Sequence, residues 1–144
     1  MREISNKIDF AYDNIDEAFP KCDPGVEPFG SRILVQVRTP KKKTKGGIIL
    51  TGEVREIEHY NTQVAKVVAM GPLAFHNRDT MKPWVEGLWC SDGDFVRVPR
   101  YGGDRWTVNY EIDGEEESAV FVIFNDLDII GRITGDPLAM RAFL

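Results

Sequence analysis

The sequence predicts an all-β domain, on three observations: short runs rich in β-branched residues, Gly- or Pro-containing turns between them, and no long helical period after residue 31. At 144 residues the chain suits one compact domain. Its 42% hydrophobic and 28% charged composition is that of an ordinary globular protein.

Residues 1–27 precede the β-rich part and read as an N-terminal extension. Ile8, Ala11, Tyr12, Ile15 and Phe19 follow a helical spacing, with Asp13, Asn14 and Asp16 opposite, so the segment before Pro20, Pro24, Gly25 and Pro28 reads equally as one short helix docking an apolar stripe or as a loosely ordered tail. The first strand is Ile33–Val37. The second is Gln63–Met70, stopped by Gly71-Pro72. Residues 73–89 are less regular, with His76-Asn77-Arg78-Asp79 as a hairpin tip and Pro83 and Gly87 as breakers. The turn Asp92-Gly93 then leads into Phe95–Val98, and Tyr101-Gly102-Gly103 into the alternating run Trp106–Tyr110. Asp113-Gly114 turns the chain back into Ala119–Ile123, and Ile129–Ile133 follows. The total is about seven short strands.

Between the first two strands lies a segment of different character. Lys41, Lys42, Lys43 and Lys45 repel one another, and Gly46-Gly47 add backbone freedom. Ile48, Ile49 and Leu50 come next, followed by a polar stretch from Thr51 to Asn61. Three large apolar residues thus sit inside a long solvated loop.

Several function classes lose support at this level. The formal net charge of -5 disfavours general nucleic-acid binding, which needs an excess of Lys and Arg. No apolar run approaches the roughly 20 residues that span a bilayer, and Met1–Asn6 lacks a signal-peptide core, so a cytoplasmic protein is expected. Cys22 and Cys90 lack CxxC spacing and are expected as free, buried or half-buried thiols. His59 and His76 have no ligand-like neighbours, and Asp113, Glu115, Glu116 and Glu117 straddle a turn, so neither set predicts a metal or catalytic site.

The order of these motifs resembles the GroES family of co-chaperonins, over roughly Glu27 to Ile133. The resemblance rests on five places: Pro28–Val37; Lys45-Gly46-Gly47-Ile48-Ile49-Leu50-Thr51; Lys66–Pro72; Gly93–Val96 with Tyr101–Gly103; and Ile112–Glu115 running through Asp126–Gly131. It implies a partly open β-barrel at 28–133, with a mobile loop at about 41–61, a roof-like segment at about 73–91 and a C-terminal tail at 134–144. It further implies a heptameric ring that caps a GroEL-type chaperonin and closes a chamber around unfolded client proteins. No cofactor is expected on this chain, since ATP and magnesium would belong to the chaperonin.

Carried onto this sequence, chaperonin binding falls to Gly46, Gly47, Ile48, Ile49, Leu50 and Thr51. Subunit contacts fall to the opening and closing strands, at Arg32, Ile33, Leu34, Val35, Ile129, Ile130 and Ile133, where an unpaired strand edge would suit the role. Tyr101 is expected to face the dome cavity. The chain departs from short family members in its two terminal segments, reminiscent of virus-encoded relatives, and in the aromatic content of 73–91 at Phe75, Trp84 and Trp89. The alternative reading is a barrel binding single-stranded nucleic acid through Arg97, Arg100, Tyr101, Arg105 and Trp106.

Overall fold

Alternation between the two faces of one sheet organises the molecule. The computed structural model describes residues 14–39 and 63–140. It contains a one-turn helix α1 (Ile15–Ala18) and the strands β1 (Arg32–Val37), β2 (Val64–Met70), β3 (Phe95–Arg97), β4 (Asp104–Ile112), β5 (Glu115–Asn125) and β6 (Gly131–Arg132). The strands form one six-stranded sheet in the order β4-β5-β1-β2-β3-β6, with every pairing antiparallel. The all-β class expected from the sequence is therefore observed. Six strands are present among the described residues, against about seven expected, and 73–91 contributes turns and one isolated bridge between His76 and Pro83.

On β1 the odd positions Ile33, Val35 and Val37 point to one face and Leu34 and Gln36 to the other, as the pleat requires. The first face forms the main core with Ala65 and Val67 of β2, Val96 of β3, Val122 and Phe124 of β5, and Ile129. Val98, Ala74, Phe75 and Cys90 complete it, and Trp84 and Trp89 pack on its rim. The second face gathers Leu34, Ala119 and Phe121, with Trp106, Val108, Tyr110 and Ile123 beside them.

The N-terminal segment covers part of that second face, which its Pro-rich composition did not foretell. The Trp106 indole N–H donates to the Pro24 carbonyl at 2.8 Å, and the buried Gln36 amide donates to Pro20 at 2.8 Å. Cys22 packs in the same cluster. Asn14 starts α1 as its N-cap, accepting from the Glu17 amide at 2.9 Å, so of the two readings a short helix is the one observed, at Ile15–Ala18. The earlier part of the predicted stripe, Ile8, Ala11 and Tyr12, lies outside the described residues.

β4 and β5 extend further than the sequence suggested, because their outer halves carry charged and polar residues rather than apolar alternation. Asp113 and Gly114, at φ 53 and 78, make the tight turn between them. The acidic residues Glu115 and Glu116 are exposed there and Glu117 is half-buried. No described helix is long and apolar enough to cross a membrane.

Both cysteines are free, with Cys90 buried and Cys22 half-buried. Burial, reinforced by Asp94 and Asp92, pushes the Cys90 thiol up to about 11 from 9.0. The folded state then holds its proton more tightly than the unfolded state. This group's contribution to stability is fully present below about pH 9 and declines as pH rises from 9 through 11. Cys90 is expected to resist a thiol reagent at pH 8 until the protein is unfolded, while Cys22 reacts first; equal labelling of both in the native protein would contradict this.

Candidate functional site

The chain leaves the sheet after β1 and returns at β2, and the fixed ends of that excursion are the structural frame of the candidate site. The predicted binding residues Gly46, Gly47, Ile48, Ile49, Leu50 and Thr51 lie outside the described residues. Backbone hydrogen bonds hold the residues that flank them. The Arg38 amide donates to Val64 at 2.9 Å and the Thr39 amide to Ala18 at 2.8 Å. On the returning side, the Val98 amide donates to the Gln63 carbonyl at 2.9 Å. Departure and return are thus side by side at one point of the sheet.

Segment 73–91 forms a lid on the main core. Phe75, Trp84 and Trp89 pack as a triad with ring centroids 4.9 to 5.7 Å apart. Phe75 takes a left-handed conformation at φ 61, uncommon for a bulky residue. The buried Asp126 carboxylate accepts the Phe75 amide at 2.9 Å and holds it there. Beyond the triad, the Asn77 side chain accepts from the amides of Asp79 and Thr80, making the predicted tip, while Met81, Val85 and Leu88 are exposed. The aromatics that distinguish this segment in the sequence therefore pack against the main core, while residues 77–83, Val85, Glu86 and Leu88 are exposed.

The predicted subunit-contact residues divide. β1 has β2 on one side and β5 on the other, so the unpaired edge expected along Arg32–Val37 does not exist. Ile33, Leu34 and Val35 are buried within the subunit, at 0 to 1% exposure. The reason is strand order: β5 returns across the sheet to lie beside β1, a long-range pairing that local sequence does not encode. Among the described strands the outer positions belong to β4 and β6. Ile129 is buried, Ile133 is half-buried against a small cluster of Ala18, Phe19 and Val64, and Ile130 is 62% exposed. Arg32 is also exposed.

Tyr101 is 71% exposed on the turn before β4. Arg105 braces that turn, donating from Nε to the Gly102 carbonyl at 3.2 Å and from Nη2 to Arg100 at 2.9 Å. Desolvation lowers the Arg105 pKa from its ordinary value. Gly103, at φ 71, lies so close to β5 that an added Cβ would stand 2.6 Å from Val122 and 2.9 Å from the Ile123 carbonyl.

The same geometry disperses the proposed nucleic-acid surface. Arg105 pairs with Val122 and lies over the Phe124 ring, whereas Trp106 pairs with Phe121 and stacks on it from the opposite face. The half-buried indole is committed to Pro24 and Phe121, so it offers no base-stacking platform beside the arginines. A groove of about 470 Å³, open to solvent, lies between the N-terminal residues 23–28 and Leu34, Val68 and Ala69. Among the described residues no group of three His, Cys, Asp or Glu side chains could hold a metal ion.

Comparison with known proteins adds what the fold alone does not give. The family described as Cpn10, chaperonin 10 Kd subunit, matches residues 25–133. The chain is 31% identical over 113 residues to a protein of Methylacidiphilum infernorum named co-chaperonin GroES, covering 78% of this chain and 98% of that one. It is 36% identical over 110 residues to a co-chaperonin GroES of Clostridium beijerinckii, covering 75% and 97% of the two chains. A third similar protein, a co-chaperonin GroES of Thermus thermophilus, is 32% identical over 105 residues, covering 73% and 88%.

Proposed function

The chain belongs to the chaperonin 10 kDa subunit family of GroES-type co-chaperonins, and from that premise we propose that it is a lid subunit whose Ile48-Ile49-Leu50 strip grips a chaperonin ring. The observation that carries this reading is the apolar tripeptide, bracketed by lysines and a polar stretch, between two stems anchored at one point of the sheet. The partner is a GroEL-type ring with an apolar groove on each subunit. Gly46 and Gly47 let the strip turn into the groove, and Thr51 ends it.

A lid must seal a chamber and later leave, which calls for weak contacts repeated many times. Burying three large aliphatic side chains yields roughly 5 to 9 kcal/mol in gross terms. Ordering the loop costs on the order of 1 to 2 kcal/mol per residue fixed, which cancels most of that gain. A homo-oligomeric ring, heptameric in this reading, turns several weak contacts into firm capping through effective concentration. When the partner's grooves change shape, the contacts release together. Unfolded clients occupy the closed chamber, Tyr101 faces it, and the exposed Arg32 and Ile130 lie toward neighbouring subunits. ATP and magnesium act on the chaperonin, no catalytic step is assigned to this chain, and the cytoplasm is the expected compartment.

The deciding experiment measures native mass and nucleotide-dependent association with a GroEL-type chaperonin together. A ring-sized particle that associates only with nucleotide present is the expected result. A monomer, or a ring that never associates, would rule the reading out.

A further inference from the structure

The two terminal segments, absent from the matched family region, meet at the base of the 40–62 excursion. α1 ends in Ala18 and Phe19, at 0 and 1% exposure, which form a small second core with Val64 of β2. Phe95, Ile133, Leu138 and Met140 pack around it, and the Phe19 and Phe95 rings lie 5.1 Å apart. The tail is shaped to reach this place. Asp136 accepts the Leu138 amide through its carboxylate at 2.9 Å and the Ala139 amide through its carbonyl at 3.1 Å, which curls residues 136–139 and turns Leu138 inward.

Polar contacts tie the same two segments to the departing stem. The Ala18 carbonyl accepts the Thr39 amide, and the Pro137 carbonyl accepts Nη1 of Arg38 at 2.8 Å. Arg38 is only 3% exposed, so its guanidinium depends on protein acceptors in place of water. The segment before the domain and the segment after it thus converge on consecutive residues of the stem, while Val64 on the returning stem supplies the apolar floor.

We infer that the N-terminal residues 14–19 and the C-terminal residues 136–140 form a two-part clamp that fixes where and in which direction residues 40–62 leave the barrel, and so raises the chain's affinity for the chaperonin. This rests on the reading that the excursion carries the chaperonin contact. A stem held in one position and direction lowers the entropy lost when the apolar strip docks. Arg38, Phe19 and Leu138 are positioning residues in this scheme; they act through the stem.

The test compares the full chain with a variant ending at Gly135 and with Leu138→Ser, which keeps the tail should the truncation fold poorly. Three quantities are measured: native mass, hydrogen exchange at the Arg38 and Thr39 amides, and the concentration giving half-maximal association with a GroEL-type chaperonin and nucleotide. With ring mass retained, the variants are expected to exchange these two amides at least about tenfold faster and to need about tenfold more protein, since a small loss at each loop is multiplied around a ring. Unchanged exchange would overturn the clamp. Faster exchange with unchanged half-saturation would overturn its role in positioning. Failure of the full chain itself to associate would remove the functional reading and this role with it, a result distinct from the other two because it appears without any variant.

Discussion

Ile49→Asp is expected to abolish chaperonin capping while leaving the fold and the native mass unchanged. Ile49 lies in the middle of an apolar strip between lysines and polar residues. A carboxylate there must either be stripped of water inside an apolar groove or hold the strip out of it. The lost aliphatic burial alone is worth about 1.5 to 3 kcal/mol per loop. Since a single loop has little net binding energy to lose, a penalty of that size, repeated around the ring, removes association altogether. Chaperonin-assisted refolding of a client, with Ile49→Val as the mild comparison, provides the measurement. Full activity of Ile49→Asp beside an unchanged circular dichroism spectrum would refute the assignment of the strip.

Gly71→Ala is expected to produce the largest loss of stability among single-methyl additions. Gly71 is buried where the end of β2 crosses the residues entering β1. Its amide donates to the Arg32 carbonyl at 2.8 Å, and the Leu73 amide donates to Gly30 at 2.9 Å. A methyl group on Gly71 would overlap the Gly30 carbonyl oxygen and stand 2.8 Å from its carbon and 2.9 Å from the Phe29 carbonyl carbon. These are backbone atoms held by the same hydrogen bonds, so no rotamer change relieves the overlap. A cost of about 3 kcal/mol or more is expected, lowering the thermal midpoint by about 10 °C at fixed protein concentration. Gly131→Ala, where nothing lies within 4 Å of the added carbon, serves as the control and should shift it little. Equal midpoints for the two variants would show that the crossing is looser than described.

Much of the fold was legible in the sequence where the signal is local. β1 and β2 are runs of β-branched residues, and the turns at Gly71-Pro72, Asp92-Gly93 and Asp113-Gly114 mark their own positions. The ends of β4 and β5 were not legible, since Arg105, Glu115 and Glu116 stay in solvent and carry no apolar alternation. Nor was the course of residues 20–28, where the carbonyls of Pro20 and Pro24 meet Gln36 and Trp106 and Cys22 packs beside Leu34 and Phe121. Such pairings depend on what the folded sheet brings opposite, and no periodicity announces them. The same holds for the placement of β1: a hydrophobic run looks alike at the centre and at the rim of a sheet. For the candidate site, residue chemistry made the apolar strip visible, whereas the clamp at its base joins segments from both ends of the chain and could be seen only in three dimensions.

The place of β1 between β2 and β5 also bears on how the chain acquires its structure during synthesis. Residues 32–36 pair with residues 121–125, so the strand at the middle of the sheet waits for one of its partners until most of the polypeptide has left the ribosome. Until then one side of Ile33, Leu34 and Val35 carries open backbone groups beside apolar side chains, a state that invites pairing with another nascent chain. Contacts of such long sequence separation place the subunit among slow-folding domains, on the scale of about milliseconds to seconds. A co-chaperonin subunit is thus itself built on a topology that completes late.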